Sequence, residues 1–294
     1  MFDGFDSVTV DTGEAAIFIR RAGHGRPLLL LHGFPETHLM WHRVAPLLAE
    51  RFTVICADLR GYGASSKPQS RPDHSPYAKR AMALDMVRLM QDQGFDRFGV
   101  VGHDRGARVA YRLALDHGER VERLAVLDVI PTADAFARAD ARFALAFWPW
   151  TLLAQPEPLP EALIAGAPEA VVNDALTNWG SEAAAFPAEV RAAYIAALSD
   201  RASIHAICEE YRAAATLDLE QDKEDRLAGR RIGCPLLALW SGGSALDTWY
   251  QDIGGPLTVW RNWADEVSGR PIAGGHFFPE QNAAETAAEL LKFF

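Results

Sequence analysis

Short apolar runs recur along the chain at intervals that leave room for a helix between consecutive runs. They are followed by Gly or Asp and then by residues with helical spacing, as over Ala81–Gln91 and Ala107–His117. Apolar runs that alternate with helical segments indicate βα units and a mostly parallel central sheet flanked by helices, an α/β fold. The predicted strands are Ala15–Ile19, Pro27–Leu31, Phe52–Ala57, Phe98–Val101, Leu124–Leu127 and Pro235–Trp240.

The pattern changes between Thr132 and about Asp225, where alanine, tryptophan and charged residues dominate and β-branched runs are absent. We interpret residues 132–225 as an inserted helical cap, with residues 1–131 and 226–294 forming the α/β core. The sheet is expected to resume near Ile232. The predicted cap contains prolines that interrupt its helical pattern, at Pro149, Pro156, Pro158, Pro160, Pro168 and Pro187.

Composition narrows the class of partner. The chain has 294 residues, 49% of them hydrophobic, and a formal net charge of −10, which argues against nucleic acid and anionic membranes. An anionic substrate would have to be held by locally placed arginines.

Cys56, Cys208 and Cys234 form an odd, widely spaced set, typical of reduced thiols in the cytosol. The acidic segment Met1–Asp6 lacks the basic region of a signal peptide, and no apolar run reaches transmembrane length, so we expect a soluble cytoplasmic protein.

The segment Gly102–Gly106, which reads GHDRG, follows an apolar strand and precedes a helical segment. This is the context of the nucleophile elbow, in which glycines make room for a raised side chain on a strained turn. Asp104 occupies the position that a serine takes in many hydrolases. A carboxylate there attacks a saturated carbon that carries a leaving group and becomes an ester, which points to a dehalogenase or an epoxide hydrolase.

An aspartyl ester needs a base that activates water for its hydrolysis. His276, flanked by glycines near the C-terminus, fits this role because nucleophile, acid and histidine then follow the chain order of α/β-hydrolases. Two acids are candidates for orienting His276. Asp128 and Asp247 each follow a predicted strand, so both lie at the carboxyl edge of the sheet, and the residues alone leave the choice open.

An oxyanion site is expected beside the elbow. His32–Pro35 follows the strand Pro27–Leu31, so the backbone N–H of Phe34 can pair with the backbone N–H of Arg105, the residue after Asp104.

Arg105 and Arg108 indicate an anionic substrate. They are three residues apart in the first turn of the elbow helix, where the helix dipole disfavours cations. A substrate carboxylate supplies a reason for their position, because a guanidinium binds carboxylate through two parallel hydrogen bonds.

With these residues in view, the sequence resembles the haloacetate dehalogenases, α/β-hydrolases that include the fluoroacetate-cleaving enzymes. The resemblance covers nearly the whole chain, and the His103–Gly106 run together with Arg108 is its most specific part. The other matching segments are His32–Pro35, Ala57–Pro68, Val126–Thr132, Asn178–Gly180, Ile204–Arg212 and Gly274–Phe278.

The resemblance implies a triad of Asp104 as nucleophile, His276 as base and Asp128 as orienting acid. It also implies that Arg105 and Arg108 bind the substrate carboxylate, that no metal or organic cofactor takes part, and that the protein is a homodimer. His103 and Trp179 are expected near the substrate pocket.

The halide pocket departs from the family pattern. Fluoroacetate enzymes use a Trp-His-Trp segment and a tyrosine, whereas the matching segment here reads Trp148, Pro149, Trp150 and the tyrosine matches Tyr211. Proline has no side-chain donor and no backbone N–H. Because fluoride departure depends on every donor that replaces water, we expect weaker cleavage of C–F than of C–Cl or C–Br bonds.

An epoxide hydrolase is the alternative interpretation, since it shares the aspartate nucleophile and uses two cap tyrosines, for which Tyr194 and Tyr211 are candidates. An arginine pair has no evident role against a neutral epoxide. A ligand-binding relative without activity is disfavoured by the intact nucleophile, base and oxyanion loop.

Overall fold

The predicted sheet is present in the computed structural model, which describes residues 1–294. The strands are β1 (Asp6–Asp11), β2 (Ala16–Ala22), β3 (Arg26–Leu31), β4 (Phe52–Ala57), β5 (Phe98–His103), β6 (Val121–Leu127), β7 (Leu236–Ser241) and β8 (Val267–Ile272). They form one sheet in the order β1-β2-β4-β3-β5-β6-β7-β8. The β1–β2 and β2–β4 pairs are antiparallel and the others parallel, which confirms the predicted α/β class.

The central strands are apolar at nearly every position because helices cover both faces of the sheet. In β3, Leu28 and Leu30 pack into one buried cluster, whereas Leu29 and Leu31 pack into the cluster on the opposite face. All four leucines are at most 1% exposed. This double burial explains why the run is recognisable in the sequence.

Two strands, β1 and β8, are missing from the sequence prediction. They are the edge strands of the sheet, and most of their residues are exposed or only partly buried. Their sequences, DSVTVD and VSGRPI, therefore carry no continuous apolar run.

Three α-helices lie between β3 and β6. They are α1 (Ala45–Ala49), α2 (Lys79–Asp92) and α3 (Asp104–Asp116). The elbow helix α3 begins at Asp104, three residues earlier than predicted.

Residues 132–227 contain eight α-helices between β6 and β7, and we call this segment the cap segment. Its helices are α4 (Thr132–Ala137), α5 (Ala141–Ala146), α6 (Trp148–Leu152), α7 (Leu159–Gly166), α8 (Pro168–Asn178), α9 (Ala188–Ser199), α10 (Arg201–Ala213) and α11 (Leu219–Leu227). The division into a core and a cap domain at residues 131/132 and 225/226 stays a prediction.

The C-terminal part returns to the sheet and adds four helices. They are α12 (Ala245–Trp249), α13 (Pro256–Arg261), α14 (Phe278–Gln281) and α15 (Ala283–Phe293). None of the helices combines the length and the apolar character that crossing a membrane requires.

Candidate active site

The turn between β5 and α3 raises Asp104 at the carboxyl edge of the sheet. Its φ of 45° lies in the left-handed region, which a non-glycine residue adopts only under constraint from its surroundings. The surroundings are tight: a Cβ on Gly33 would lie 2.5 Å from the Cβ of Asp104, and one on Gly106 would lie 2.4 Å from the carbonyl oxygen of His32. These two glycines are therefore needed where the elbow meets the loop that follows β3.

The two carboxylate oxygens of Asp104 have different neighbours. Oδ1 accepts a hydrogen bond of 3.0 Å from the backbone N–H of Phe34, whereas Oδ2 lies 3.9 Å from Nε2 of His276. Burial opposes ionisation, but His276 and Arg105 outweigh it and lower the pKa of Asp104. The carboxylate is charged, with one oxygen held by the backbone and the other open beside His276.

His276 is oriented by Asp128. Nδ1 of His276 lies 2.6 Å from Oδ2 of Asp128, whose other oxygen accepts a hydrogen bond of 2.8 Å from the backbone N–H of Ser241. A hydrogen bond donated by Nδ1 to this carboxylate oxygen leaves the lone pair of Nε2 of His276 directed toward Asp104. Burial opposes protonation, but Asp128 outweighs it and raises the pKa of His276.

Asp247, the other acid that the sequence leaves open, does not contact His276. Its carboxylate accepts hydrogen bonds from Nε1 of Trp240 at 2.7 Å and from the backbone N–H of Gly243 at 2.9 Å. It stabilises the turn after β7.

A cavity of about 320 Å³ lies between this group and the cap segment. Asp104 and His276 form part of its wall, and Trp150 and Tyr211 face them from the cap segment. Neither Nε1 of Trp150 nor the hydroxyl of Tyr211 has a hydrogen-bond partner in the protein, so both donors are available to a ligand.

Arg108 contributes the positive charge of the cavity wall. Nη1 donates to the carbonyl oxygen of Ile130 and to Oγ1 of Thr132, both at 3.1 Å, and the guanidinium lies 4.2 Å from the ring centre of Trp150. Nε is buried without a partner. Burial and the nearby Arg105 lower the pKa of Arg108, and no carboxylate of the protein forms a salt bridge with it.

Comparisons with known proteins identify the family of the chain. Residues 26–283 match the α/β hydrolase fold family. A fluoroacetate dehalogenase from Burkholderia sp. is 44% identical over 294 residues, a match that covers all of this chain and 95% of the relative. The chain belongs to the haloacetate dehalogenase family of α/β hydrolases. A soluble epoxide hydrolase from Corynebacterium sp. (strain C12) is 34% identical over 93% of this chain and 91% of the relative.

A solved structure shows the same fold. That of ALR0039 from Nostoc sp. PCC 7120 matches with a TM-score of 0.95 and 49% identity, covering 100% of this chain and 99% of that one. Both the resemblance to haloacetate dehalogenases and the α/β-hydrolase fold inferred from it are thereby confirmed.

The side chain of Arg105 does not line the cavity beside Arg108, where the prediction places it in this α/β hydrolase. Its side chain is fully buried and is not part of the cavity wall; Nε donates to Oε1 of Glu210 at 2.9 Å. Its guanidinium carbon lies 4.0 Å from the ring centre of Tyr211. Because a carboxylate of the cap segment neutralises Arg105, Arg108 is the arginine that supplies charge at the cavity wall. Nη1 of Arg105 remains buried and without a hydrogen-bond partner.

Glu210 is a residue of the site that the sequence analysis misses. It is wholly buried on α10 and also binds Nζ of Lys79 at 2.6 Å and the hydroxyl of Tyr62 at 2.5 Å. Burial alone would raise the pKa of Glu210, but Arg105 and Lys79 lower it to about 2. The only sequence signal is an acidic residue next to the predicted halide ligand Tyr211, which does not reveal its partners.

His103 is expected near the substrate pocket but lies behind it. The ring is fully buried, and Nε2 lies 2.9 Å from the backbone oxygen of His276. The two imidazole rings are 4.6 Å apart. Burial lowers the pKa of His103 to about 4, so the ring is neutral and supports the backbone of His276 rather than the substrate.

Tyr194 is also absent from the cavity, which corrects its assignment in the epoxide hypothesis. Its buried hydroxyl donates to Oε1 of Glu280 at 3.2 Å. Burial raises the pKa of Glu280, and the neighbouring Glu36 raises it further; Oε2 of Glu36 lies 3.4 Å from Nδ1 of His103. Because two neighbouring buried carboxylates repel each other, the pair retains a proton, and no sequence pattern marks this pair.

The remaining predicted pocket residues do reach the cavity. Pro149 and Trp179 line it, and the ring of Trp179 lies 5.6 Å from that of His276. The preceding Trp148 instead donates its N–H to Asp174 at 3.2 Å.

One group of side chains outside the cavity has metal-ligating chemistry: Glu157, Glu161 and His205. Nη2 of Arg212 lies 2.7 Å from Oε1 of Glu161 and neutralises it. We assign no metal to this group.

Proposed function

We propose that the protein hydrolyses the carbon–halogen bond of short 2-haloacids, converting a haloacetate to glycolate and halide through an ester on Asp104. The observation that carries this proposal is the ionised Asp104, with Oδ1 bound by the Phe34 N–H and Oδ2 open toward a cavity that contains the cation of Arg108. The fluoroacetate dehalogenase relative supports the same chemistry.

The substrate carboxylate binds at the arginine side of the cavity. Arg108 supplies the charge at the cavity wall, and the unpartnered Nη1 of Arg105 is a second donor behind it. Anchoring the carboxylate holds the α-carbon at Oδ2 of Asp104, which turns a bimolecular displacement into a reaction of a bound pair.

In the first step Oδ2 of Asp104 forms a bond to the α-carbon while the carbon–halogen bond breaks, and the halide leaves with the bonding electron pair. The N–H of Trp150 and the hydroxyl of Tyr211 are available to donate hydrogen bonds to the departing anion. Such donors stabilise charge where it develops in the transition state.

In the second step Nε2 of His276 takes a proton from water, and the resulting hydroxide attacks the ester carbonyl of Asp104. The negative charge develops on Oδ1, which already accepts a hydrogen bond from the backbone N–H of Phe34. We propose the backbone N–H of Arg105 as the second donor. Collapse of the intermediate breaks the bond between Cγ and Oδ2 of Asp104 and releases the 2-hydroxyacid, whose oxygen takes up the proton from His276. The second proton of the attacking water leaves to solvent as Asp104 returns to a carboxylate. Asp128 stabilises the imidazolium that forms in between.

Pro149 makes C–F bonds slower to cleave at this site than C–Cl or C–Br bonds. Proline places no donor in the cavity, whereas the fluoride ion has the most concentrated charge of the halides. By analogy with the removal of one oxyanion donor, the loss is on the order of 10²-fold in rate.

Epoxide hydrolysis is the second candidate, favoured by the epoxide hydrolase relative. It would use Asp104 as nucleophile and Tyr211 as the acid that protonates the epoxide oxygen. With Tyr194 bound to Glu280 outside the cavity, only one of the two expected tyrosines is available.

Halide release from fluoroacetate, chloroacetate and bromoacetate, measured beside styrene oxide turnover, tests the proposal. We expect chloride and bromide release that disappears in Asp104→Asn. Turnover of styrene oxide with no halide release from any of the three acids would replace the proposal by the epoxide hypothesis.

A further inference from the structure

The cavity is larger than a haloacetate requires. A haloacetate has five non-hydrogen atoms; if each takes no more than the ~30 Å³ of one liquid water, the molecule fills roughly 150 Å³. The cavity measures about 320 Å³. About half of the space therefore remains beside a haloacetate bound at Asp104 and Arg108.

The walls of the cavity are not uniform. The groups that the mechanism uses are polar or charged, whereas the wall also contains Phe147 and Pro149 from the cap segment and Leu246 from α12. These three side chains offer no hydrogen bond. Pro149 and Leu246 are buried, and Trp179 adds the face of an indole ring. Apolar walls of this kind bind apolar surface.

Small side chains stand at the opening. Ala146 from the end of α5 and Ala245 from the start of α12 both line the cavity and are both exposed to solvent. Because neither side chain extends beyond Cβ, the space next to the apolar wall continues to the surface without an obstruction from these positions.

We propose that the cavity binds α-haloacids that carry an unbranched apolar chain of several carbons on the α-carbon more tightly than it binds haloacetates. The carboxylate and halogen occupy the polar groups described above, and the chain lies along Phe147, Pro149 and Leu246 toward the opening between Ala146 and Ala245. This inference rests on the proposed dehalogenation and specifies the acid on which it acts.

Kinetics on bromoacetate and on the α-bromo derivatives of propanoate, butanoate and hexanoate test the inference. Each buried methylene contributes about a fourfold gain in binding, so we expect α-bromohexanoate to have a KM at least tenfold below that of bromoacetate. The added chain makes the attacked carbon secondary and lowers kcat, so KM is the readout of binding.

A matched pair of variants locates the chain. Ala146→Phe fills the opening and is expected to raise the KM for α-bromohexanoate tenfold or more relative to that for bromoacetate. Ala144→Phe adds the same ring to the same helix at an exposed position outside the cavity wall and is expected to leave this ratio unchanged. Ala245→Phe repeats the test from the other side of the opening.

The outcomes separate the two proposals. Bromide release from bromoacetate, with a KM for α-bromohexanoate equal to or above that for bromoacetate, overturns this inference and leaves the dehalogenation intact. An equal KM ratio in Ala146→Phe, Ala245→Phe and Ala144→Phe also overturns it. Absence of bromide release from all four acids overturns the proposed function itself.

Discussion

Glu210 of the cap segment accepts a hydrogen bond of 2.9 Å from Nε of Arg105, the residue that directly follows Asp104. Both side chains are fully buried, and Lys79 is bound to the same carboxylate. The cap segment and the elbow are thus joined by a charge pair that solvent does not reach. Because Tyr211 is the next residue on α10, this contact also fixes the position of the proposed halide donor.

Removing the charge of Glu210 is expected to weaken stability and to strengthen the binding of an anionic substrate. Glu210→Gln leaves Arg105 and Lys79 without their main counter-ion, since only Asp218, 3.5 Å from Lys79, remains. Breaking a buried ion pair from one side costs about 3–5 kcal/mol. We expect a loss of that order in the free energy of unfolding, measured with denaturant. We also expect a lowered KM for chloroacetate, because the charge of Arg105 is then free to attract the substrate carboxylate.

Glu209→Gln is the matched control for that experiment. Glu209 precedes Glu210 on α10 and is also buried, but it pairs with His74 and Arg212 rather than with Arg105. It should lower stability without changing KM. An unchanged KM in Glu210→Gln, or the same change in both variants, would show that Arg105 has no part in binding the carboxylate.

Replacing His276 is expected to trap the ester. His276→Ala keeps the open Oδ2 of Asp104 but removes the base 3.9 Å away, so displacement proceeds and hydrolysis does not. Mass spectrometry after incubation with chloroacetate should show the mass of the added substrate fragment on the peptide that contains Asp104. An unmodified peptide, with halide still released, would mean that water attacks the substrate directly.

Restoring a donor at position 149 is expected to favour fluoride release. Pro149→His places an imidazole N–H at the cavity wall beside Trp150, and the ratio of defluorination to dechlorination should rise on the order of 10²-fold. Pro149→Phe introduces a ring of comparable shape without the donor and should leave this ratio low. Parallel fluoride and chloride electrode assays measure both. A similar ratio in the two variants would assign the effect to shape rather than to hydrogen bonding.

The profile of kcat against pH should have an acid limb whose midpoint lies above the ordinary imidazole pKa of ~6.5. His276 acts as a base only when neutral, and Asp128 raises its pKa although burial opposes protonation. Lowering the pH through that raised pKa protonates Nε2 and stops ester hydrolysis. A profile of kcat against pH measures the limb, and Asp128→Asn should move it to lower pH as well as lowering the plateau. A limb below about pH 6 in the unaltered protein would contradict the assignment of His276.

The interior of the fold is predictable from the sequence because burial on both faces makes a strand such as Pro27–Leu31 continuously apolar. The edge strands β1 and β8 are not predictable in this way, because their exposed residues interrupt the apolar pattern. The elbow is recognisable for a different reason. Glycines and a polar residue at fixed spacing reflect a local backbone requirement at Asp104, which a short motif can express.

The buried charge contacts behind the site could not be predicted. Glu210 and Arg105 are 105 residues apart in sequence, and only the docking of α10 on the elbow brings them together. A charged residue in a helix is usually solvated, so neither Glu210 nor Glu280 stands out from the other acids of the chain. For the same reason the sequence allows Tyr194 a place in the cavity, although its hydroxyl is bound to Glu280.

We expect the pair of Glu36 and Glu280 to lower the stability of the fold as the pH rises. Burial raises the pKa of Glu36 to about 8, and the nearby Asp104 adds to this effect. Between the ordinary glutamate value of ~4.3 and about 8, the folded state keeps a proton that the unfolded state has lost. The contribution of this pair to the free energy of unfolding is therefore expected to decrease with pH in this range, by up to ~1.4 kcal/mol per pH unit for one proton.

Glu36→Gln keeps the shape and the hydrogen-bonding capacity of the side chain but carries no titratable proton. We expect its free energy of unfolding, measured with urea at about pH 5, 6.5 and 8, to rise relative to the unaltered protein as the pH increases. Glu266→Gln removes a carboxylate from an exposed position and should follow the unaltered protein at all three values. Parallel pH dependences of Glu36→Gln and the unaltered protein would show that Glu36 is ionised in the folded state and that the shared proton belongs to Glu280 alone.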